Sequence, residues 1–469
     1  MHADIRMVFP TVQFAVFFAI VLALSWALMR RRHVWKATMI AASYLFYSAA
    51  GPIFCLLLAG ITLGNQAAAK LLDRTDDARA RKRIVAGAVA LNLVTLGVFK
   101  YYGFFATEVN ATLDRVGLGL SMPLAAIALP VGISFIVFQA ISYTVDVYRR
   151  EIPPAGTIDV ALYLSFFPQL VAGPIVRARE FMPQLEMPRD PRKVAVGAGV
   201  GLIIIGLVKK VAIADTLARE IVDPVFGVPQ AYAAPDVWLA TYAYAVQIFC
   251  DFSGYTDIAI GVALLMGFVF PQNFDRPYRA ASFGEFWQRW HMTLSRFLRD
   301  FLYIPLGGNR GGRWRTIRNL MITMGLGGLW HGAAWGFILW GLIHGIALVV
   351  EHQFRGRVKL PRWLGWLIVF HVVVLAWIPF RAPDLGLASA FFAQLAQPGP
   401  ATLWTVPVVL ATFIVIVSQL VPAKPLDRLR LRFERLHPAA LGASMAIVIM
   451  LVAATVSSQG VPPFIYFSF

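Results

Sequence analysis

Charged residues are scarce in this chain of 469 residues: Asp, Glu, Lys and Arg together make up 14%. Soluble domains carry about 25% charged residues. A soluble chain with 58% hydrophobic residues could not cover its surface with polar groups. No hydrophilic stretch is long enough to form a separate soluble domain. The composition, with a mean hydropathy of +0.67, therefore predicts one membrane domain over residues 1–469, with lipid as the solvent for much of its surface.

Cysteine is also rare, which excludes two kinds of small scaffold. The two cysteines, Cys55 and Cys250, both lie inside apolar segments. Two isolated thiols supply neither a disulfide framework nor a cysteine-rich metal site. We therefore expect no metal, and we interpret both residues as small buried apolar side chains.

Acidic residues are outnumbered: 42 Lys and Arg face 25 Asp and Glu, which gives a net charge of +17. The basic residues form short clusters between apolar runs, where the positive-inside rule places cytoplasmic loops. Such loops also meet anionic headgroups, so we expect a lipid bilayer and no nucleic acid as the partner. The clusters fall at 30–32, 79–83, 313–318, 355–359 and 424–435.

No cleavable signal peptide is predicted at the N-terminus. The first apolar run, 8–29, is too long for a signal-peptide core, and three arginines follow it at 30–32. Only Arg6 precedes it, with Asp4 nearby. We expect a first span that leaves the N-terminus outside.

Long apolar runs recur along the chain, and each run near 20 residues can cross a hydrocarbon core about 30 Å thick. They predict an all-α polytopic membrane protein of about ten or eleven transmembrane helices, with short re-entrant or interfacial helices. No internal repeat is visible. The runs are 8–29, 37–69, 84–108, 121–145, 158–176, 197–222, 234–270, 318–350, 363–381, 403–421 and 439–458.

Three of these runs contain helix breakers. Run 37–69 is predicted to break at Gly51–Pro52 into two short helices, and run 318–350 around Gly327–Gly328 and His331–Gly332. Run 234–270 is predicted to break at Asp251, Ser253, Gly254 and Asp257. Irregular backbone at membrane depth survives where it is buried in protein or lines a water-filled cavity, so the breaks predict a central polar cavity.

The stretch 271–317 is the longest that is not simply apolar, and we place it on the cytoplasmic side. Between Phe283 and Phe301, apolar residues recur with helical spacing, which predicts one amphipathic helix in the membrane interface, with Trp and Phe towards lipid. His291 lies on it beside the aromatic stripe. A glycine-rich loop follows at 307–312, which could wrap a phosphate-bearing donor.

Three of the eight histidines stand in contexts that suggest chemistry. His331 lies in a long apolar run with glycines on both sides, where an ionisable group is costly and indicates function; a packing histidine bonded across helices is the alternative. His344 has weaker support, and His291 completes the set. His371, alone in an apolar run, is interpreted as a core histidine bonded to a backbone carbonyl.

A second polar group is the segment 251–257, with Asp251, Ser253, Tyr255 and Asp257. Two carboxylates inside an apolar run need partners or water. They either line a cavity that orients a histidine or the acceptor, or they form a structural kink in which both have partners.

The histidines favour general-base chemistry over a serine nucleophile. A neutral imidazole can take a proton from a hydroxyl at neutral pH. The sequence contains no Gly-x-Ser-x-Gly motif of the kind that would place a serine nucleophile.

At these residues the sequence resembles the membrane-bound O-acyltransferase family, in its bacterial polysaccharide branch. The matching motifs are ordered along much of the chain. They are Leu-Pro-Val-Gly-Ile-Ser-Phe at 129–135, Tyr-Thr-Val-Asp-Val-Tyr-Arg at 143–149, Phe-Phe-Pro-Gln-Leu at 166–170, Ala-Gly-Pro-Ile at 172–175, Val-Lys-Lys at 208–210, the segment 251–257, Phe-Trp-Gln-Arg-Trp-His at 286–291, Leu-Gly-Gly-Asn-Arg at 306–310, Leu-Trp-His-Gly at 329–332 and Phe-Ile-Tyr-Phe at 464–467.

The resemblance implies a ring of helices around a central tunnel, with His331 as the essential histidine and His291 as a second one towards the cytoplasmic entrance. It implies transfer of an acyl group, preferably acetyl from acetyl-CoA, to a cell-surface polysaccharide or an extracytoplasmic acceptor protein. Alginate, cellulose, another exopolysaccharide and a peptidoglycan-type polymer all fit as the polysaccharide. An extracytoplasmic acetyltransferase or polysaccharide-export protein is the expected partner, no cofactor stays bound, and the location is the bacterial inner membrane, crossed many times. The expected donor-binding residues are Asn309, Arg310, Arg289 and Trp290, and the expected cavity residues are Asp251, Ser253, Tyr255, Asp257, Trp330 and His344.

Other functions remain open at this point. Within the family, a D-alanyl group from a carrier protein is the alternative to acetyl. A proton-coupled transporter would also show broken helices with buried His and Asp, although it would usually show repeated halves. A membrane glycosyltransferase would want acidic metal-binding pairs, for which Asp251 and Asp257 are faint candidates.

Overall fold

The computed structural model describes residues 9, 11–118, 120–125, 127–187, 189–422, 434 and 436–455, and this part of the chain is helical without a β-strand. Short π-helical turns join several of the helices. The α-helices are α1 (Val12–Leu28), α2 (Arg32–Ser48), α3 (Pro52–Asp73), α4 (Ala78–Leu96), α5 (Tyr102–Arg115), α6 (Ile133–Tyr148), α7 (Thr157–Ser165), α8 (Phe167–Leu170), α9 (Ala178–Glu186), α10 (Val196–Leu207), α11 (Asp215–Leu217), α12 (Asp223–Gly227), α13 (Ala234–Leu265), α14 (Phe283–Arg289), α15 (Met292–Leu298), α16 (Arg313–His331), α17 (Trp335–Phe354), α18 (Arg362–Arg381), α19 (Leu385–Gln394), α20 (Val406–Leu420) and α21 (Pro438–Thr455).

Six helical stretches of the described chain are long and apolar enough to cross a membrane, and shorter apolar helices accompany them. Large apolar side chains such as Leu56 and Leu91 are exposed on these stretches, as expected where lipid is the solvent. The all-α polytopic prediction is confirmed: this is a multi-pass membrane protein. The six stretches are Pro52–Asp73, Ala78–Arg115, Val196–Gly227, Ala234–Leu265, Trp335–Phe354 and Arg362–Arg381.

Two of the predicted helix breaks are present. Helix α2 ends at Ser48 and α3 begins at Pro52, so the first break is confirmed. The expectation of two short helices there is wrong for α3, whose 22 residues are enough to cross a membrane. Helix α16 ends at His331, and α17 begins at Trp335, so the break after His331 is confirmed.

The predicted break in run 234–270 is wrong, because α13 is continuous over 32 residues. Its carboxylates form ion pairs, and Thr256 bonds back to carbonyls of the preceding turn. A Cβ on Gly254 would lie 2.7 Å from the carbonyl oxygen of Gly206, so the glycine serves a close helix contact and not a break.

The predicted break at Gly327–Gly328 is also wrong, since both residues lie within α16. Helices α16 and α17 pack as a hairpin. A Cβ on Gly328 would lie 2.2 Å from the carbonyl oxygen of Phe337, so this glycine lets the two backbones touch.

The single amphipathic helix predicted over 283–301 is wrong. The chain forms α14 and α15 with a break at Trp290 and His291. The prediction that the aromatic residues of this segment face lipid is also wrong, because Phe286, Trp290 and Phe297 are buried within the protein. The helical spacing correctly identified the face that is buried, but that face packs against protein and not against lipid.

The chain divides into two compact units. The first contains residues 1–196 and 262–270, with helices α1 to α9. Its interior holds a polar network in which Asn65 and Asn92 exchange side-chain hydrogen bonds and the Tyr143 hydroxyl donates to Gln66. Every member of this buried set finds a partner, as polar groups inside a membrane protein require.

The second unit contains residues 197–261 and 271–469. Its framework is the pairing of α10 with α13 and the hairpin of α16 and α17, with α18 packed on α17. All the histidines singled out as functional lie in this unit. A single acyltransferase domain over 1–469 stays a prediction.

Candidate active site

His331 is the last residue of α16, immediately before the extended Gly332. Only 2% of its surface is exposed. Aromatic rings surround the imidazole: the centroids of Trp330, Trp340 and Phe380 lie 5.0, 5.0 and 5.3 Å from it. The helix end thus places the histidine in a buried aromatic chamber, where electrostatic interactions are strong.

His291 lies at the break between α14 and α15 with a φ of +42°, which is uncommon for a residue other than glycine. Its fully buried ring packs edge-on against Phe252, with the centroids 4.7 Å apart, and contacts Trp330 at 5.8 Å. Burial lowers the pKa of His291 to about 3. The imidazole is therefore neutral at physiological pH.

The fold brings the two predicted catalytic histidines together. The ring centroids of His291 and His331 lie 6.5 Å apart, with their planes inclined by 59°. A group of atomic dimensions between them could contact both rings. Such a group would be within reach of two imidazoles, each of which can exchange a proton with it.

Asn273 fixes His291. Its side-chain oxygen lies 3.2 Å from Nδ1 of His291 and accepts hydrogen bonds from the backbone N–H and the hydroxyl of Thr293, at 3.2 and 2.9 Å. The backbone carbonyl of Asn273 accepts the N–H of Met292. This asparagine was missed in the sequence, where no local pattern marks it.

His344 lies one indole away from His331. Trp340 separates them, with its ring centroid 4.8 Å from that of His344, and Trp287 packs on the other side at 5.1 Å. Within the described part of the chain, neither ring nitrogen of the fully buried His344 has a hydrogen-bond partner. Trp330 is buried beside both His291 and His331. Both predicted support residues are therefore close to the chamber.

The aspartates of segment 251–257 are held by two lysines. Lys210 lies 2.7 Å from carboxylate oxygens of both Asp251 and Asp215, and these three residues are almost fully buried. Lys209 lies 2.7 Å from Asp257. The carboxylates therefore have partners, and α13 needs no kink to accommodate them.

Ser253 and Tyr255 are buried on the same helix. The segment contacts His291 through the ring of Phe252, which the sequence did not single out. The Val-Lys-Lys motif could have predicted these ion pairs. Two lysines in an apolar run need carboxylate partners, just as two carboxylates in an apolar run need basic partners.

The four expected donor-binding residues fall into two places. Asn309 and Arg310 are exposed on the glycine-rich loop, which Asn319 anchors by donating to the carbonyl of Gly308. Arg289 is ion-paired with Asp275 and Glu285.

Trp290 is fully buried among aromatic rings. Its centroid lies 5.0 Å from those of both Phe274 and Trp377. Arg289 and Trp290 therefore belong to the packing that holds the break before His291.

Comparison with known proteins matches residues 39–378 to the model of MBOAT, the membrane-bound O-acyltransferase family. The chain is 41% identical over 372 residues to the probable alginate O-acetylase AlgI of Azotobacter vinelandii, covering 78% of this chain and 73% of that protein. It is 38% identical over 383 residues to the peptidoglycan O-acetyltransferase of Helicobacter pylori, covering 75% and 71%.

A more distant relative is the teichoic acid D-alanyltransferase of Streptococcus thermophilus, 30% identical over 281 residues, with 53% of this chain and 67% of that protein covered. The matched span includes both histidines of the chamber and the glycine-rich loop. The chain belongs to the membrane-bound O-acyltransferase family and is an O-acyltransferase of that family.

Proposed function

We propose that this enzyme transfers an acetyl group from cytoplasmic acetyl-CoA to a hydroxyl group of a cell-surface polysaccharide, or to an extracytoplasmic protein that completes the transfer. Two relatives that align over most of the chain are named for O-acetylation, one of alginate and one of peptidoglycan. The relative named for D-alanyl transfer aligns over less of the chain and at lower identity. These alignments favour acetyl over D-alanyl.

The observation that carries the mechanism is the buried pair His291 and His331, 6.5 Å apart in an aromatic chamber. His331 acts as the general base: a ring nitrogen takes the proton of the acceptor hydroxyl as the oxygen attacks the thioester carbonyl. A C–O bond forms, the C–S bond breaks, and the proton passes to the leaving thiolate. The products are the acetyl ester and free CoA thiol, so no covalent enzyme intermediate is required.

His291 is the second histidine of this centre, and its neutral imidazole accepts a hydrogen bond from the reacting groups. His344 and Trp330 support the chamber around it. The buried ion pairs of Asp251 and Asp257, with Ser253 and Tyr255 between them, stiffen the helix that carries Phe252 against His291.

For the donor, we propose that Asn309 and Arg310 on the exposed loop bind its phosphate groups. Glycine-rich loops let backbone N–H groups approach a phosphate, and a guanidinium binds it through paired hydrogen bonds. Arg289 and Trp290 brace the segment before His291. The proposed location is the bacterial inner membrane, with an extracytoplasmic acetyltransferase or polysaccharide-export protein as partner.

The test is transfer of radiolabelled acetyl from acetyl-CoA by the purified protein in liposomes, with a soluble uronic-acid oligosaccharide as acceptor. His331→Ala should remain folded and lose activity by at least about 100-fold, the usual contribution of a general base. His371→Gln is the matched control and should remain active, because His371 bonds Tyr242 and the Leu367 carbonyl away from the chamber.

The outcomes separate the alternatives. Labelling from a D-alanyl carrier protein but not from acetyl-CoA would replace the acetyl proposal. Equal activity of His331→Ala and wild type would remove His331 from the mechanism. Proton-driven solute uptake without acyl transfer would overturn the proposed activity.

A further inference from the structure

The side chain of Asn273 is placed by three contacts to its oxygen, and all of its partners are buried. Asn273 and Thr293 are each 1% exposed, and His291 is fully buried. The Asn273 oxygen meets the backbone N–H and hydroxyl of Thr293 and the Nδ1 atom of His291. The backbone carbonyl of the same residue accepts the N–H of Met292, so Asn273 holds His291 and the two residues that follow it.

These contacts define which nitrogen of His291 carries the proton. A backbone N–H can only donate, so the Asn273 atom that it reaches must be the amide oxygen. An amide oxygen can only accept, so Nδ1 of His291 must donate to it. In a neutral imidazole the proton is then on Nδ1, and Nε2 carries the lone pair.

We propose that Asn273 is a positioning residue for acyl transfer, which holds His291 as the neutral Nδ1–H tautomer so that Nε2 faces the reaction as an acceptor. This inference rests on the proposed role of His291 at the reaction centre. It assigns Nε2 of His291 to accept a hydrogen bond or proton from a reacting group, and it excludes donation from that atom in the resting enzyme.

The choice of an amide over a carboxylate follows from charge. An aspartate at this position would offer the same oxygen to Thr293, and it would also place a negative charge against the imidazole and favour its protonated form. The amide nitrogen of Asn273 has no hydrogen-bond partner within the described residues, so the fold uses only the oxygen. A purely structural residue could therefore be aspartate, whereas a residue that keeps His291 neutral could not.

The carboxylates on the segments around His291 are held by basic side chains. Of the titratable groups on the segments around His291, the His331 ring contacts it at 6.5 Å. Asp251 on α13 is paired with Lys210, and Asp275 is paired with Arg289. Glu285 on α14 is also paired with Arg289.

The decisive variant is Asn273→Asp, assayed for kcat/KM of acetyl transfer from about pH 8 to about pH 5.5. A carboxylate in contact raises a histidine pKa by about 1–3 units, which would bring the pKa of His291 from about 3 to at most about 6. The activity of the variant relative to wild type should therefore fall by up to about fourfold as the pH falls to about 5.5. Asn273→Leu, which removes the acceptor, should lose kcat at every pH. Asn110→Asp makes the same chemical change where the side chain, among the described residues, pairs with the backbone of Met122, and the ratio of its activity to that of wild type should stay the same at every pH.

A second readout does not depend on activity. In protein labelled with ¹⁵N-histidine, NMR should show His291 as the Nδ1–H tautomer, identified by its loss in His291→Gln, and Asn273→Asp should raise its pKa. A flat pH ratio for Asn273→Asp in an active enzyme, or an Nε2–H tautomer in wild type, overturns this inference alone. Absence of acetyl transfer by wild type overturns the proposed function, while the NMR result still decides the tautomer.

Discussion

The imidazole rings of His291 and His331 lie 6.5 Å apart, although a π-helical turn, a glycine-rich loop and a whole helix separate them along the chain. Two local irregularities close that distance. His291 occupies a left-handed turn between two short helices, and His331 ends a long helix beside extended backbone. The proposed reaction centre therefore lies where helices end, and the helices form its walls.

The burial of His291 predicts acid sensitivity. Its pKa is about 3 in the folded protein against 6.5 for an ordinary histidine, so below about pH 6.5 the unfolded chain binds more protons than the folded one. Stability is greatest above that pH and falls as the pH is lowered towards 3, by about 1.4 kcal/mol per unit. His291→Gln removes this titration. Thermal unfolding in detergent at about pH 7.5 and about pH 5 should show the wild type losing more stability than the variant; equal losses would contradict the assignment.

The Lys210 ion pairs predict a large asymmetry between the two neighbouring lysines. Lys210→Met leaves Asp215 and Asp251 buried without their cation and should cost about 3–5 kcal/mol of stability. Lys209→Met is the matched control, because Lys209 has one carboxylate partner and is 25% exposed, and it should cost much less. Adding Asp215→Asn and Asp251→Asn to Lys210→Met should recover most of the loss. Equal melting temperatures for the two lysine variants would refute the network.

The contact between Gly206 and Gly254 predicts that there is no room for even a methyl group at position 254. Gly254→Ala places a Cβ 2.7 Å from a backbone oxygen that cannot move independently of its helix, so overpacking should cost at least about 1–3 kcal/mol. Gly60→Ala is the control: nothing lies within 4 Å of its Cβ, and it also sits inside a helix. Its melting temperature should be unchanged or slightly higher. A harmless Gly254→Ala would mean that the two helices are farther apart than described.

Replacing His344 should affect the stability of the protein and its acyltransferase activity in different ways. Neither of its ring nitrogens bonds to a described residue, so His344→Phe removes no protein hydrogen bond and keeps the aromatic packing. Stability should be equal or higher, because an unsatisfied buried polar group costs about 1–3 kcal/mol. Acetyl transfer should fall by about tenfold if a ring nitrogen bonds the substrate, as the free energy of one hydrogen bond implies. Full activity with unchanged KM would limit His344 to packing.

The features that could be predicted from the sequence are those that depend on a single segment of the chain. His331 stands out because a histidine in an apolar run is costly, and the break after it follows from the glycine beside it. The aromatic face of 283–301 was found from spacing alone. His291 was assigned to the site by family resemblance, and the fold then placed it beside His331.

What the sequence did not predict depends on contacts between distant segments. The lysines that neutralise Asp251 and Asp257 lie more than forty positions earlier, so a helix that is continuous looked broken. The left-handed turn at His291 is held by Asn273 from outside the helix, so two helices looked like one. Asn273 itself has no neighbour in sequence that would mark it.

The length of α13 limits how this helix can lie in the bilayer. A helix of 32 residues extends about 48 Å, well beyond a hydrocarbon layer of about 30 Å, so it must lean over or project into the headgroups. Asp251 lies near its midpoint, so the ion pairs are about halfway along the helix. Phe252 on this helix packs against His291, so we expect a bilayer thickness that changes the inclination of α13 relative to its neighbours to affect the proposed reaction centre.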